Sequence, residues 1–265
     1  GQEVVIETII NGIKSEKTPN AYLFTGIRGI GKTTTARIVA KMLNCTVFDK
    51  NNNPDLINCE QSIAITEDRH PDVIEIDAAS NTSVENAREI IENIKYNPVL
   101  GKYKVYIVDE VHMLSKSAFN ALLKTLEEPP PHSKFIFATT EISKVPITIL
   151  SRCQRFDLRR VEKKTLSDFL KSIAKKEDIK ISTEALNLIV KASDGSVRDS
   201  LSILDQANIF KSQKEIQVEE IVNMLGFAKQ SDLYELSKCI FDNNLSKLIS
   251  MLDDMYQRGS ETSKI

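Results

Sequence analysis

Tryptophan is absent, and glycine and cysteine are scarce: the 265 residues hold nine glycines and four cysteines. So few cysteines cannot build the dense disulfide framework of a small secreted scaffold. They fit a reducing, cytoplasmic setting. No apolar run reaches the roughly 18 residues that a transmembrane helix needs, so no membrane partner is expected. The opening GQEVVIETII lacks a basic start and a cleavage site, so no signal peptide is expected. An excess of one charge is also missing. Lys plus Arg is 35 and Asp plus Glu is 37, so a uniformly basic coat for nucleic acid is excluded, while a local basic surface stays open. Apolar residues are 41% and charged residues 27%, far from the composition of a disordered chain. At roughly 100–200 residues per domain the length allows one large domain or two to three small ones. The chain starts at Gly1 without Met and stops at Ile265 inside a helical pattern, so a piece of a longer chain is expected.

Three of the few glycines cluster at Gly26, Gly29 and Gly31. Such a cluster marks backbone that turns tightly or approaches a ligand closely. A strand-like run, AYLFT (21–25), precedes it, and a helical pattern, TTTARIVAKML, follows. Further buried-strand runs are DVIEID (72–77), KVYIVDE (104–110) and KFIFATT (134–140). Helical patterns, SVENAREIIENI and SKSAFNALLKTLEE, lie between them, and Pro129 to Pro131 end the second. Strands alternating with helices predict an α/β fold with a parallel sheet. Beyond about residue 160 only amphipathic helices remain: TLSDFLKSIAKKEDI, STEALNLIVKAS, VRDSLSILDQANIF and VEEIVNML, then SDLYELSKCIF and NLSKLISMLDDMYQ after the FAKQ stretch. The Asn-rich segment 46–69 fits neither period and reads as a loop or small insertion.

Gly26-Ile27-Arg28-Gly29-Ile30-Gly31-Lys32-Thr33 matches the P-loop pattern G-x-x-x-x-G-K-T, with Thr34 next to it on the helix. Glycines let backbone N–H groups wrap a phosphate chain, and the helix start adds positive dipole. Lys32 would reach the outer phosphates, and the Thr33 hydroxyl would ligate Mg²⁺. The apolar strand ending in Asp109 and Glu110 puts two carboxylates at the sheet edge where ligands bind. Asp109 would hold Mg²⁺ and Glu110 would polarise the attacking water. Thr139 and Thr140 end another strand at that edge, where one can position water, or each can be an ordinary strand-end Thr.

These strand ends, with SRC at 151–153, carry a family resemblance. The chain resembles the ATPase core of the gamma/tau subunits of bacterial DNA polymerase III, the motor of the replicative clamp loader. AYLFTGIRGIGKTTTARIVAKMLNC, HPDVIEIDAASN, VDEVHMLSKSAFNALLKTLEEPP, KFIFATTEISKVPITILSRCQRF and GSVRDSLSILDQA carry it, over about 1–226. The resemblance implies the AAA+ fold: a RecA-like ATPase domain over 1–160, a helical lid over 161–224 and a collar domain cut short over 225–265. It implies ATP and Mg²⁺ as cofactors, Thr140 as a sensor of the γ-phosphate, Arg198 in GSVRD as a second sensor from the lid, and Arg152 in SRC as an arginine finger acting on a neighbouring subunit. The implied partners are delta, delta-prime and further gamma/tau subunits, the sliding clamp and primer–template DNA. The implied activity is ATP hydrolysis within a DNA-directed DNA polymerase holoenzyme.

There are departures from the family pattern. The family has a four-cysteine zinc module after the P-loop helix. Here Cys45 and Cys59 remain, but Leu56 and Ser62 stand where two further ligands belong, so no zinc is expected in this degenerate 46–69 insertion. His70 is too far along to replace them, and Cys153 and Cys239 read as buried thiols. The segment before GQE that helps enclose adenine is absent and the collar stops at Ile265, so weak nucleotide binding and failed assembly are expected of this piece. The helix start at Asn81, Thr82 and Ser83 can meet DNA phosphates or be a plain N-cap. Three other readings compete: another clamp-loader subunit such as delta-prime, a nucleotide-binding scaffold without turnover, and a small-molecule P-loop kinase. IDAASN with the two leftover cysteines argues against the first, Glu110 against the second, and SRC with GSVRD against the third.

Overall fold

Strand β1 (Ala21–Thr25) is buried at every position because both of its faces are covered. Ala21 and Leu23 pack into one apolar layer and Tyr22 and Phe24 into the other, the period-2 alternation of an extended chain. In a computed structural model of the chain, the described residues are 2–50, 53–80, 82–210, 215–226 and 230–257. They form two compact units, Gly1–Arg160 and Val161–Ile265.

The first unit runs α1 (Glu3–Lys14), β1, α2 (Lys32–Asn44), α3 (Glu60–Thr66), β2 (Val73–Asp77), α4 (Val84–Asn93), β3 (Lys104–Asp109), α5 (Lys116–Glu127), β4 (Ser133–Thr139), α6 (Ile147–Leu150) and β5 (Gln154–Asp157). The sheet has five strands in the order β2-β3-β4-β1-β5, and every pairing is parallel. Parallel neighbours need crossovers, and helices supply them on both faces. One face carries α4, α5 and α6, whose Ile90, Phe119, Leu122 and Ile149 meet Tyr106, Val108, Phe135 and Phe137. The other carries α1 and α2, whose Ile9, Ala36, Val39 and Leu43 meet Tyr22, Phe24, Ile107 and Ile136. Each large side chain so buried contributes about 1.5–3 kcal/mol.

Polar links fix the periphery. The Arg37 guanidinium donates to both Glu75 oxygens, at 2.6 and 2.7 Å, tying α2 to β2. The Asn44 amide exchanges two hydrogen bonds with the Tyr103 backbone, at 2.8 and 2.9 Å. Asp72, 1% exposed, accepts from the backbone N–H groups of Val99, Leu100 and Gly101 at 2.7, 2.7 and 2.8 Å.

Segment 46–69 is not all loop, because Glu60–Thr66 forms α3, packed on α2 with Ile65 buried. The expected strands end one residue early, leaving Glu110 and Thr140 just beyond β3 and β4. The reading of Asn81 as a DNA contact or N-cap lies outside the described residues.

In the second unit, α7 (Lys163–Lys176), α8 (Thr183–Ala192), α9 (Val197–Phe210) and α10 (Val218–Leu225) share a core of Leu166, Leu170, Ile189, Leu204 and Ile221. Ser182 caps α8 by accepting from the Ala185 N–H, and Ser196 accepts from the Asp199 N–H at the start of α9. Helices α11 (Gln230–Phe241) and α12 (Leu245–Gln257) pack on one another. No described helix is long and apolar enough to cross a membrane.

Candidate nucleotide site

The turn from β1 into α2 needs backbone that only glycine adopts easily. Gly26, Gly29 and Gly31 have φ of 145°, 77° and 94°. A Cβ on Gly26 would lie 2.7 Å from the Leu158 carbonyl oxygen. Gly31, the N-cap of α2, has no side chain to cap the helix itself. Ile30 is buried and anchors the loop, while Arg28 and Thr34 are exposed and Ile27 is half-buried. Lys32, 5% exposed, folds back so that its ammonium donates to the carbonyls of Gly26 and Ile27 at 3.1 and 3.0 Å. The loop thus closes around its own cation.

The register aligns the strand ends: Asp77 opposite Asp109, and Thr25 opposite both Thr139 and Asp157. The Thr33 hydroxyl donates to Asp109 Oδ2 at 2.6 Å, joining the first turn of α2 to the end of β3. A hydroxyl and a carboxylate in direct contact at a glycine-lined helix start are the hard oxygen donors that Mg²⁺ takes beside phosphates. The residues present therefore fit MgATP: a glycine cradle, a buried cation, and an oxygen pair for the metal.

Glu110 follows β3 in the left-handed region, φ 45° and ψ 47°, an unfavourable place for a residue with a Cβ. Its Oε2 accepts from the Thr140 N–H at 3.0 Å and from the Thr140 hydroxyl at 2.9 Å. Its Oε1 lies 3.9 Å from the Lys32 ammonium. The structure thus brings Lys32, Thr33, Asp109, Glu110 and Thr140 together at one sheet edge. The Thr140 hydroxyl, expected to face a phosphate, is directed at Glu110.

Arg152 lies just past α6. Its guanidinium donates to the Thr148 carbonyl at 2.6 Å, to the Ser151 hydroxyl at 3.1 Å and to Glu127 at 2.5 Å. The pair with Glu127 is partly exposed, 31% and 49%, and such pairs are worth about 0–1 kcal/mol, so Glu127 itself holds Arg152 only weakly. Arg198 is an exposed residue of α9, in the second unit. Sequence reasoning missed Glu127 and His112, although His112 follows Asp109 and Glu110 by a few residues in VDEVHM.

The zinc remnants are both buried. Cys45 donates to the Val47 carbonyl, and desolvation pushes its thiol up to about 11. Burial also works to raise the Cys59 thiol, but hydrogen bonds from the Thr46 and Ser62 backbone and from Cys45 outweigh it and bring it to about 7. No cluster of three or more His, Cys, Asp or Glu suited to a metal occurs among the described residues. His70 is engaged elsewhere: its Nδ1 accepts from the Asp72 N–H and its Nε2 meets Gln61 at 2.6 Å. Two thiols alone do not fit a structural zinc ion. Cys239 is buried; Cys153, expected to be buried, is half-buried, with desolvation raising its thiol to about 12.

The same architecture occurs in the RuvB Holliday-junction branch-migration motor of Thermotoga maritima, at a TM-score of 0.63 and 18% identity. The match covers 100% of this chain and 85% of that one. A point variant of the same RuvB aligns over 96% of this chain and 82% of its own, also at 0.63, with 17% identity. With a helical ATPase-lid region following the parallel-sheet unit in sequence, the fold is that of an AAA+ P-loop NTPase.

The particular family follows from sequence. The family described as DNA polymerase III, delta subunit, matches residues 1–162, and the ATPase lid domain of the DNA polymerase III clamp loader subunit matches 165–213. The chain is 43% identical to DNA polymerase III subunit tau of Bacillus subtilis, over 100% of its own length and 46% of that protein's. It is 43% identical to subunit tau/gamma of Haemophilus influenzae, over 100% of its length and 38% of the relative's. Against subunit gamma of Buchnera aphidicola from Schizaphis graminum the identity is 41%, covering 100% of this chain and 72% of the relative. The chain belongs to the gamma/tau family of DNA polymerase III clamp-loader subunits. It spans less than half the length of the Bacillus and Haemophilus relatives.

Proposed function

We propose that the chain is the ATPase motor part of a bacterial replicative clamp loader, acting in the cytoplasm and coupling ATP binding and hydrolysis to loading of the sliding clamp on primed DNA. The observation that carries the ATPase reading is the meeting of Lys32, Thr33, Asp109 and Glu110 at the C-terminal edge of the sheet. MgATP would supply the phosphoanhydride bond whose cleavage drives the cycle. Backbone N–H groups of 26–34, with the Lys32 ammonium, neutralise phosphate charge. Thr33 and Asp109 would hold Mg²⁺. Glu110 orients a water molecule and takes its proton through the oxygen that faces Lys32. Thr140 holds the opposite oxygen, which links the strand-end sensor to the base.

In this reading the parts 161–224 and 225–265 act as lid and collar, Arg198 closes over nucleotide from the lid, and Arg152 leaves Glu127 to serve a neighbouring subunit's ATP. Partners are other gamma/tau copies, delta and delta-prime subunits, the clamp and primer–template DNA. Support comes from the family, from the P-loop geometry and from the weak tether of Arg152.

The test is phosphate release by the full-length protein with Mg²⁺ and ATP, alone and then with loader partners, clamp and primed DNA. Turnover is expected to be slow alone, to rise steeply in the full mixture and to vanish with Glu110→Gln. Absent turnover would favour the scaffold reading, and turnover indifferent to clamp and DNA a different AAA+ role. Arg152→Ala is expected to keep ATP binding while lowering turnover of the assembled loader by about 10³-fold or more, as loss of an arginine finger does elsewhere. Unchanged turnover would remove Arg152 from the mechanism.

A further inference from the structure

We propose that His112 is the positioning residue that aims the Glu110 carboxylate, an inference that rests on the ATPase reading above. His112 lies on the short 3₁₀ turn Val111–Met113, directly after Glu110. Its side chain is 5% exposed, so its polar contacts are made with protein groups. Nδ1 lies 2.9 Å from the Thr139 hydroxyl and 3.3 Å from Glu110 Oε2. Nε2 lies 3.6 Å from Glu141 Oε1, and that carboxylate also meets the Lys144 ammonium. The Thr139 hydroxyl in turn accepts from the Glu141 N–H at 3.0 Å, and Thr139 is fully buried. The imidazole therefore bridges the end of β3 to the end of β4 through groups that are themselves fixed.

The consequence falls on the two oxygens of Glu110. Oε2 is crowded: the Thr140 N–H and hydroxyl donate to it, and the imidazole Nδ1 lies 3.3 Å away. Oε1 is left toward the Lys32 ammonium. One carboxylate oxygen is committed to the protein and the other to the nucleotide site. A glutamate has three side-chain torsions, and the Thr140 contacts both end on Oε2, so with them alone the carboxylate could still swing about that oxygen. His112 closes that freedom. Its effect reaches the water-orienting step through Glu110, without contact to the phosphates.

The experiment uses the full-length protein with its loader partners. His112→Ala is expected to lower kcat by about 10- to 100-fold, the scale of a misaligned general base, with KM and the Kd for ATP within about twofold of wild type. His112→Asn, whose amide nitrogen takes roughly the place of Nδ1, is expected to recover most of the loss. A readout independent of turnover is the imidazole ¹⁵N spectrum of the full-length protein, with the signals of His70, His112 and His132 assigned by single substitutions. Glu110→Gln is expected to move the His112 signals and leave those of His70 and His132 in place.

Unchanged kcat in folded His112→Ala would overturn the inference. So would a loss shared between kcat and KM that Asn does not restore, because that marks a merely structural side chain. If His112→Ala fails to fold, the spectrum decides, and His112 signals indifferent to Glu110→Gln overturn it. Wild-type protein that binds ATP but never hydrolyses it would overturn the ATPase reading, and this inference with it.

Discussion

Lys32→Ala is expected to raise the Kd for ATP by at least about 100-fold and to remove turnover. The glycine loop closes around this ammonium, and each charge-assisted hydrogen bond it would make to phosphate is worth about 1.5–3 kcal/mol. Two such bonds correspond to roughly 10²–10⁴ in affinity. The same ammonium donates to the Gly26 and Ile27 carbonyls, so the variant also loosens the loop. Isothermal titration with ATP measures the loss, and circular dichroism checks that the sheet persists. Tight ATP binding by folded Lys32→Ala would sink the P-loop assignment.

Asp72→Asn is expected to carry the largest stability effect, about 2–4 kcal/mol. The carboxylate accepts three backbone N–H groups in a site closed to water. An amide offers a single acceptor oxygen and turns its NH₂ toward donors that then lack a partner, at about 1–3 kcal/mol each. In a unit of this size that loss corresponds to a fall in Tm of about 4–16 °C. The pH dependence has a definite sign. Burial works to raise the Asp72 carboxyl, but the Gly101, Val99 and Leu100 N–H groups and nearby His70 outweigh it, so it lies below its ordinary value of 3.8. A depressed folded-state pKa gives stability that is present above the unfolded value and is lost as pH falls through the folded one. The gap between wild type and Asp72→Asn should therefore be constant near neutrality and close below about pH 4. Thermal melts of both proteins from pH 7 downward measure it. A gap that stays constant into acid would show that the carboxylate charge is not what holds the 99–101 turn.

Strands β1, β3 and β4 were legible because a parallel strand covered on both faces is largely apolar, and edge strand β2 because Val73, Ile74 and Ile76 still make a β-branched run. Strand β5 was not, since an edge strand with only Phe156 buried carries no such run. Helix α1 was not read from the sequence, although its stripe of Val5, Ile6, Ile9, Ile10 and Ile13 joins the core. Helix α3 is short and lies in an Asn-rich segment, where local composition argues for loop. At the site, the P-loop was legible because its glycines answer a backbone requirement that the motif itself states. The pairing of Thr140 with Glu110, the place of His112 and the tether of Arg152 to Glu127 were not. They join residues 30, 27 and 25 positions apart, through side chains that meet only once the sheet has formed.

The strand order has a consequence for how the site can move. β1, which leads into the glycine loop, is flanked by β4 and β5 and buried from end to end. Its amide protons should exchange with deuterium only through global unfolding, because no smaller opening frees a strand paired on both edges. The floor of the nucleotide site is thus as long-lived as the unit itself. On the proposed function, any opening and closing that admits and releases nucleotide would have to come from other parts of the protein or from a neighbouring subunit, on top of a floor that stays still.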